Sequence, residues 1–175
     1  MTSLHFNAPR KSLEVLVTSE AGATLERQEN VSFREGQAEG TVIIIRPDIA
    51  RQTIDGIGTS FTEASAFVLA HLEPEQRYAV MEQIYGEAGA NFTLCRTHVG
   101  ACDFCVEGRY SYAPVADDLN LEHFSIEADR DGFNPAIHSG IKDPNFDLLD
   151  MIREAQAIKT GQGDSDLRIV ASAWT

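Results

Sequence analysis

The sequence has little positive charge, few cysteines and no long apolar run, and each shortage argues against a class of protein. Lysine and arginine number 14 against 27 aspartates and glutamates, a formal net charge of −13. Such a surface repels phosphate, which makes nucleic acid and anionic membranes poor partners. No segment approaches the ~18 apolar residues of a membrane helix, and the first residues lack the apolar core of an export signal. We expect a soluble chain that neither inserts into membranes nor binds nucleic acid, and that is cytoplasmic, or secreted if the true N-terminus is missing.

An odd number of cysteines, 3, without an export signal fits reduced thiols better than a disulfide framework. Cys102 and Cys105 form a Cys-x-x-Cys motif. With Cys95 and His98 they offer four soft ligands, as in a tetrahedral zinc site. Cys95, however, lies in an apolar segment, and no helix is indicated after the motif, as a thioredoxin-type site would require. We expect unliganded thiols, no metal and no cofactor, and keep a zinc or redox protein as an alternative.

The apolar content, 43%, is enough to build a core, and its patterning changes near residue 51. Before that point, strand candidates at 13–19, 24–33 and 41–47 are separated by segments with glycine and polar residues. Residues 1–50 are therefore predicted to form a small antiparallel β unit, the β-rich strands of a side domain.

Residues 51–175 alternate between strand and helix patterns. Ser60 and Glu63 offer a capping box for one helix, and Pro74 suits the first turn of the next, which ends before Gly86. The other candidates are strands at 52–58, 91–100 and 166–175 and a helix at 146–161. Successive βα units make parallel sheets or barrels, and a full barrel needs about 250 residues. We expect an α/β fold: the first part of a (β/α)8 TIM barrel, with about three strands, preceded by the antiparallel unit.

Asp103 follows the second of these strands, at the end where α/β folds place binding residues. Phe104, Tyr110 and Tyr112 surround it with apolar faces, and a carboxylate beside aromatic rings suits a sugar. The alternatives are a solvated turn aspartate and aromatic residues that form the loop's own small core.

Arg96 interrupts an apolar strand and needs a partner, because an unpaired buried charge is costly. We expect either a carboxylate in the barrel mouth or a position at the strand end in solvent. Ser60 and Ser172 lack the flanking glycines of a nucleophile elbow, so a helix cap and a strand residue are the better interpretations.

In order along the chain, four segments resemble family 30 glycoside hydrolases of the glucosylceramidase type: 52–66, 94–113, 124–131 and 168–175. The resemblance implies a (β/α)8 barrel with a β-rich side domain that cleaves a β-linked sugar by the retaining route, with a β-glucoside or a glycolipid such as glucosylceramide as substrate. It also implies that Asp103 binds sugar hydroxyls, that Trp174 and Phe104 line the same subsite, and that Arg96 supports the catalytic centre. The departures are Ala173 in place of a proline, a glycine-poor segment at 59–61, and Glu63 where aspartate is common.

In that family the acid/base and nucleophile follow the fourth and seventh barrel strands, beyond the three strands predicted for this chain. A retaining glycosidase needs both carboxyls, about 5 to 5.5 Å apart. We therefore expect no catalytic residue and no turnover from this chain alone. The open edge of the third strand is expected to need the missing C-terminal part of the barrel as its partner. A non-catalytic sugar-binding module and a decayed glycosidase remain alternatives.

Overall fold

The computed structural model describes residues 12–33, 36–37, 39–163 and 167–174, which divide into two compact units, Met1–Arg51 and Gln52–Thr175. The first unit has four short strands: β1 (Ser12–Leu13), β2 (Leu16–Val17), β3 (Glu26–Arg27) and β4 (Val31–Ser32). β1 pairs with β4 and β2 with β3, both antiparallel. The turn before β3 uses Gly22 at φ 107°, a left-handed conformation that costs glycine little. The predicted antiparallel β unit is confirmed.

The strand predicted at 41–47 is absent from the structure. Ile43, Ile44 and Ile45 are 75–84% exposed there. β-branched residues favour an extended backbone, but a strand forms only where its N–H and C=O groups pair with another strand. Among the described residues, none pairs with this segment.

The second unit is a three-stranded parallel sheet with helices in its crossovers. Its strands, β5 (Ser60–Phe61), β6 (Leu94–Val99) and β7 (Arg168–Ala173), pair in the order β5-β6-β7. The helices are α1 (Glu63–Ala70), α2 (Pro74–Tyr85) and α3 (Leu148–Gly161), and a short 3-10 turn spans Glu127–Asp129. Parallel strands joined through helices are the arrangement that the alternating sequence pattern predicts. The expected α/β fold class is confirmed.

The start of α1 differs from the prediction. Thr62, with extended φ and ψ, is the N-cap, and its Oγ1 accepts a hydrogen bond from the Ser65 N–H at 3.2 Å. Ser60 lies in β5 instead, opposite Arg96. The backbone stays extended through Phe61, whose side chain is buried, so the helix cannot begin earlier.

The first barrel strand is also shorter and later than the predicted 52–58. The Ile57 and Thr59 carbonyls still accept backbone hydrogen bonds from Thr93 and Arg96, each at 3.0 Å. Between them, a Cβ atom on Gly58 would lie 1.1 Å from the Leu94 carbonyl oxygen. Only glycine allows the two backbones to approach this closely.

Ion pairs and capping fix the other two helices. Pro74 occupies the first turn of α2, as predicted, and the Gly86 N–H closes its end on the Glu82 carbonyl at 2.8 Å. From α2, Arg77 binds Asp143 at 2.8 Å and Glu154 of α3 at 3.1 Å. With only 11% of its side chain exposed, this arginine ties α2 to α3 and to the end of the long loop.

The helices cover one face of the sheet and leave the other open. Phe61 and Cys95 join Met81 and Met151 in a single apolar core cluster. On the opposite face, Val170 of β7 is 56% exposed. Among the described residues, no helix combines the length and the apolar character that crossing a membrane requires.

Candidate functional site

The carboxyl ends of β6 and β7 bring two candidate site residues to one edge of the sheet. These strands are parallel, with Val99 opposite Ala173, so the residues that follow each strand emerge side by side. The Arg96 guanidinium lies 4.6 Å from the centre of the Trp174 ring, and its Nε donates to Ser172 Oγ at 3.0 Å. In α/β folds this edge is where ligands bind.

The carboxylate expected as the partner of Arg96 is not there. Within the described part of the chain, no carboxylate forms an ion pair with this guanidinium, which is bound by a hydroxyl and an aromatic ring instead. Its neighbours on this face of the sheet are Ser60 of β5 and Val170 and Ser172 of β7, and none of them is acidic. A cation over an indole ring is attracted by about 0.5 to 2 kcal/mol, and the contact restricts both side chains.

Asp103 lies in a tight turn beyond β6. The Cys105 N–H donates to the Cys102 carbonyl at 3.2 Å, which makes Asp103 and Phe104 the two central residues of the turn. Both are exposed, Phe104 to 60%. Asp103 has no hydrogen bond or ion pair to any other described residue, so its carboxylate faces solvent and can accept from a ligand.

Tyr110 and Tyr112 do not flank a ligand beside Asp103 as expected; they bind a carboxylate inside the loop. Both hydroxyls donate to fully buried Asp129, Tyr110 at 2.6 Å. Burial, with this carboxylate as the next cause, raises the pKa of both tyrosines. These two aromatic residues therefore form the loop's own core, the alternative left open by the sequence, and Phe104 is the exposed ring of the three.

Two further carboxylates are fully buried, and both hold loop backbone. Glu63 accepts from the N–H groups of Val106 and Glu107, just after the Asp103 turn, the second at 3.4 Å. Asp147 accepts from Leu148 at 2.7 Å, as the N-cap of α3, and from Gly132 at 3.0 Å. Burial raises the pKa of Glu63, and it raises that of Asp147 to about 7.

Sequence reasoning missed this role for Glu63 and missed Asp129 and Asp147 altogether. An aspartate before an apolar helical segment is a cap signal, so Asp147 was detectable. Asp129 contacts tyrosines 17 and 19 positions away, and no local pattern reveals such a contact. Each of the three carboxylates already accepts hydrogen bonds from donors of the protein, so together they organise the loop, whereas Asp103 is exposed in its turn.

The two cysteines of the Cys-x-x-Cys motif, Cys102 and Cys105, are the first and last residues of the same turn. The ligand atoms of His98, Cys102 and Cys105 lie within 4.8 Å of one another, a spacing a metal ion can bridge. However, His98 Nε2 already accepts from the Glu63 N–H at 3.1 Å, and its Nδ1 donates to the Gly100 carbonyl at 2.6 Å. Cys95 is not part of the group, because its side chain is buried in the core on the helix side of the sheet. Cys95 therefore cannot be one of the four ligands of a zinc site. A metal bound by His98 would have to replace one of the two hydrogen bonds between its ring and the backbone.

Comparison with known proteins points to one family. The model of the glycosyl hydrolase family 30 TIM-barrel domain matches residues 54–151, more than half of the chain. The lysosomal acid glucosylceramidase of Mus musculus is 27% identical over 104 residues, which cover 59% of this chain and 20% of that protein. The endo-1,6-beta-D-glucanase of Neurospora crassa is 32% identical over 82 residues, 46% of this chain and 17% of that protein.

A solved structure shares the fold. The crystal structure of SrfJ from Salmonella typhimurium aligns with a TM-score of 0.65 at 23% identity and covers 94% of this chain but 32% of its own. The chain therefore spans about a fifth of the curated relatives it matches and about a third of the structural one.

Proposed function

Because the chain belongs to glycosyl hydrolase family 30, we propose that it is the N-terminal portion of a glucosylceramidase-like retaining β-glycosidase and carries part of its sugar subsite. Residues 1–50 are proposed to be strands of the side domain, and residues 51–175 the first part of the catalytic barrel. The cytoplasmic location expected from the sequence stays a prediction.

The observation that carries this proposal is the exposure of Asp103 and Phe104 in the turn after β6, with Trp174 directly after the neighbouring parallel strand β7. The Asp103 carboxylate is solvent-facing and unpaired within the described chain, so it can accept hydrogen bonds from two neighbouring hydroxyls of a sugar ring. Phe104, 60% exposed, and Trp174, 38% exposed, provide flat surfaces for the C–H face of that ring. Arg96 acts behind them as a positioning residue, because its guanidinium lies over the Trp174 ring.

We propose that the two carboxyl groups that catalyse hydrolysis lie outside the 175 residues of this chain. Retention requires two carboxyls about 5 to 5.5 Å apart, one as acid/base and one as nucleophile. Glu63, Asp129 and Asp147 are fully buried, and each is held by two protein donors, so none is placed to protonate a leaving group or attack a sugar. We propose that later strands of the barrel supply the pair, and that the missing C-terminal part of the barrel pairs with the edge of β7.

The proposed substrate is a neutral β-glucoside, with glucosylceramide first and a β-1,6-glucan second. A net charge of −13 favours a neutral ligand over an anionic one. Several relatives, the mouse protein among them, are named glucosylceramidases, and the Neurospora relative is named an endo-1,6-beta-D-glucanase, which supports this order.

The test compares the 175-residue chain with the full product of the open reading frame that contains it. Both are assayed with 4-methylumbelliferyl β-D-glucoside, and the anomer released first is identified by proton NMR. We expect the longer product to hydrolyse the substrate and release the β-anomer, and the shorter chain to give no turnover. Hydrolysis by the shorter chain would refute the proposed absence of the carboxyl pair. Initial release of the α-anomer would refute the retaining mechanism.

Substrate choice is decided with the same product. Glucosylceramide in detergent micelles and a β-1,6-linked glucan are offered in parallel, and the kcat/KM values are compared. A higher value for glucosylceramide supports the first candidate, and a higher value for the glucan replaces it with the second.

A further inference from the structure

Cys102 and Cys105 occupy the first and fourth positions of the turn that displays Asp103 and Phe104. Their Sγ atoms lie 3.7 Å apart, and the Cys102 N–H donates to Cys105 Sγ at 3.1 Å. The ends of such a turn are less than about 7 Å apart between Cα atoms, and a disulfide spans about 4.4 to 6.8 Å. The fold therefore holds the two thiols, both free, at the ends of a turn whose Cα spacing suits a disulfide.

The surroundings favour a sulfur–sulfur bond over a metal. The nearest candidate third ligand, His98, uses both ring nitrogens in hydrogen bonds to backbone groups. The third cysteine, Cys95, is buried in the core and does not compete. Cys102 is buried and Cys105 half-buried, with the Tyr110 hydroxyl 3.5 Å from Cys105 Sγ. Cys105 is thus the thiol that solvent reaches, and Cys102 is the one placed to resolve a bond formed at Cys105.

We propose that Cys102 and Cys105 are a reversible dithiol–disulfide modification site, oxidised by low-molecular-weight disulfides of the glutathione class. The Cys105 thiolate attacks one sulfur of oxidised glutathione, forms a mixed disulfide and releases one glutathione thiolate. The Cys102 thiolate then attacks Cys105 Sγ and releases the second glutathione. The protein loses two protons and two electrons, and one oxidised glutathione becomes two reduced molecules.

Burial of Cys105 slows this exchange at neutral pH. It raises the pKa of the Cys105 thiol to about 11, so the reactive thiolate is scarce at neutral pH. The exchange is therefore slow near pH 7 and is expected to accelerate about tenfold per pH unit below the pKa.

The bond would close a covalent ring around Asp103 and Phe104. This consequence rests on the proposed function, in which these two residues bind the sugar. A cross-linked turn loses less freedom on binding, so the oxidised chain is expected to bind methyl β-D-glucoside about threefold more tightly than the reduced chain.

The bond itself is tested independently of any sugar. The purified chain is equilibrated in glutathione buffers, remaining thiols are alkylated, and the chain is digested with trypsin. Residues 97–109 form one tryptic peptide that contains Cys102 and Cys105, whereas Cys95 falls in the preceding peptide, 78–96. We expect peptide 97–109 to be two hydrogen masses lighter than its reduced form and free of alkyl groups. Two alkylated cysteines, or one glutathione held stably on Cys105, would overturn the proposal.

The fold's contribution is measured by repeating the equilibration in urea. The ratio of disulfide to dithiol at a given glutathione ratio is expected to be at least tenfold higher in the folded chain than in the unfolded one. An equal or lower ratio would show that the turn does not favour the bond. Cys105→Ser removes the bond, and Cys95→Ala is the matched control that keeps it. One zinc per chain that is lost in Cys105→Ser and kept in Cys95→Ala would also overturn the proposal.

The sugar experiment separates the two proposals. Calorimetry with methyl β-D-glucoside is run on the oxidised and reduced forms. If peptide 97–109 contains the disulfide but neither form binds the glucoside, the proposed function fails and the modification site stands. If both forms bind equally, the disulfide does not affect the subsite, and that consequence is rejected.

Discussion

Asp147 is predicted to make the protein less stable as the pH rises through neutrality. Its carboxyl is fully buried, and burial raises its pKa from 3.8 to about 7, with the charges of Asp129 and Glu63 adding to the shift. Because the native pKa lies above the unfolded one, the native state binds more protons between these values. The free energy of unfolding therefore falls as the pH rises from about 4 to about 7.

The magnitude follows from the size of the shift. Each pH unit in that window costs about 1.4 kcal/mol, so the full shift corresponds to about 4 kcal/mol. The sequence pI is about 4.7, where a chain without net charge tends to precipitate, so the useful range begins near pH 5.5. From pH 5.5 to pH 8 the carboxyl is expected to remove about 2 kcal/mol from the free energy of unfolding.

Asp147→Asn removes the titration and keeps a good capping residue for α3. Its amide nitrogen would face the Gly132 N–H, which now donates to the carboxylate at 3.0 Å, so the variant loses one hydrogen bond. At pH 5.5, where the Asp147 carboxyl is still protonated, that loss costs about 1 to 3 kcal/mol. The free energy of unfolding of the variant should therefore be lower than that of the natural chain at pH 5.5. At pH 8 this difference should be smaller by about 2 kcal/mol.

Urea unfolding followed by circular dichroism at pH 5.5, 6.5 and 8 measures this gap. Asp150→Asn, in the same turn of α3, is the matched control, because Asp150 is partly exposed and pairs with Arg153. If the difference in free energy of unfolding between the natural chain and Asp147→Asn does not change with pH, the reasoning is refuted. It is also refuted if the difference between the natural chain and Asp150→Asn shrinks by the same amount.

Two further predictions concern the elements that present the site. Thr62→Ala is expected to lower the free energy of unfolding in urea by about 1 kcal/mol, because it removes the α1 cap. Ser60→Ala should change it by less than about 0.5 kcal/mol. A larger loss in Ser60→Ala than in Thr62→Ala would show that Ser60 is the cap. Tyr112→Phe is expected to cost about 1 to 3 kcal/mol, because buried Asp129 loses one of its two hydroxyl donors. Unchanged unfolding of Tyr112→Phe would show that this hydroxyl does not stabilise the loop.

The features that the sequence predicted well are those encoded locally. Pro74, the helical spacing of apolar residues and Gly86 mark α2, and the apolar run before Gly100 marks β6. Capping patterns are local too, but they overlap. The sequence favoured Ser60 as the cap of α1, whereas Thr62, two residues later, caps the helix by accepting from Ser65.

The features that it missed depend on residues far apart in the chain. The strand predicted at 41–47 has the right composition, but its pairing depends on a second strand, which the described residues do not provide. Within the site, the turn around Asp103 was expected as a loop, but the contacts of Glu63 and Asp129 that support the loop join residues 17 to 44 positions apart. Burial and charge partners of that kind follow from the folded geometry and not from local spacing.

The central claim is that Asp103 binds the sugar, and the most direct test is its removal from the full product of the reading frame. The kcat/KM for 4-methylumbelliferyl β-D-glucoside is measured for the natural protein, for Asp103→Ala and for Glu122→Ala, an exposed carboxylate in the same loop. A hydrogen bond to a charged group contributes about 1.5 to 3 kcal/mol, so Asp103→Ala should lower kcat/KM about 10- to 150-fold. Glu122→Ala should leave it unchanged. An Asp103→Ala protein as active as the natural one would contradict the account.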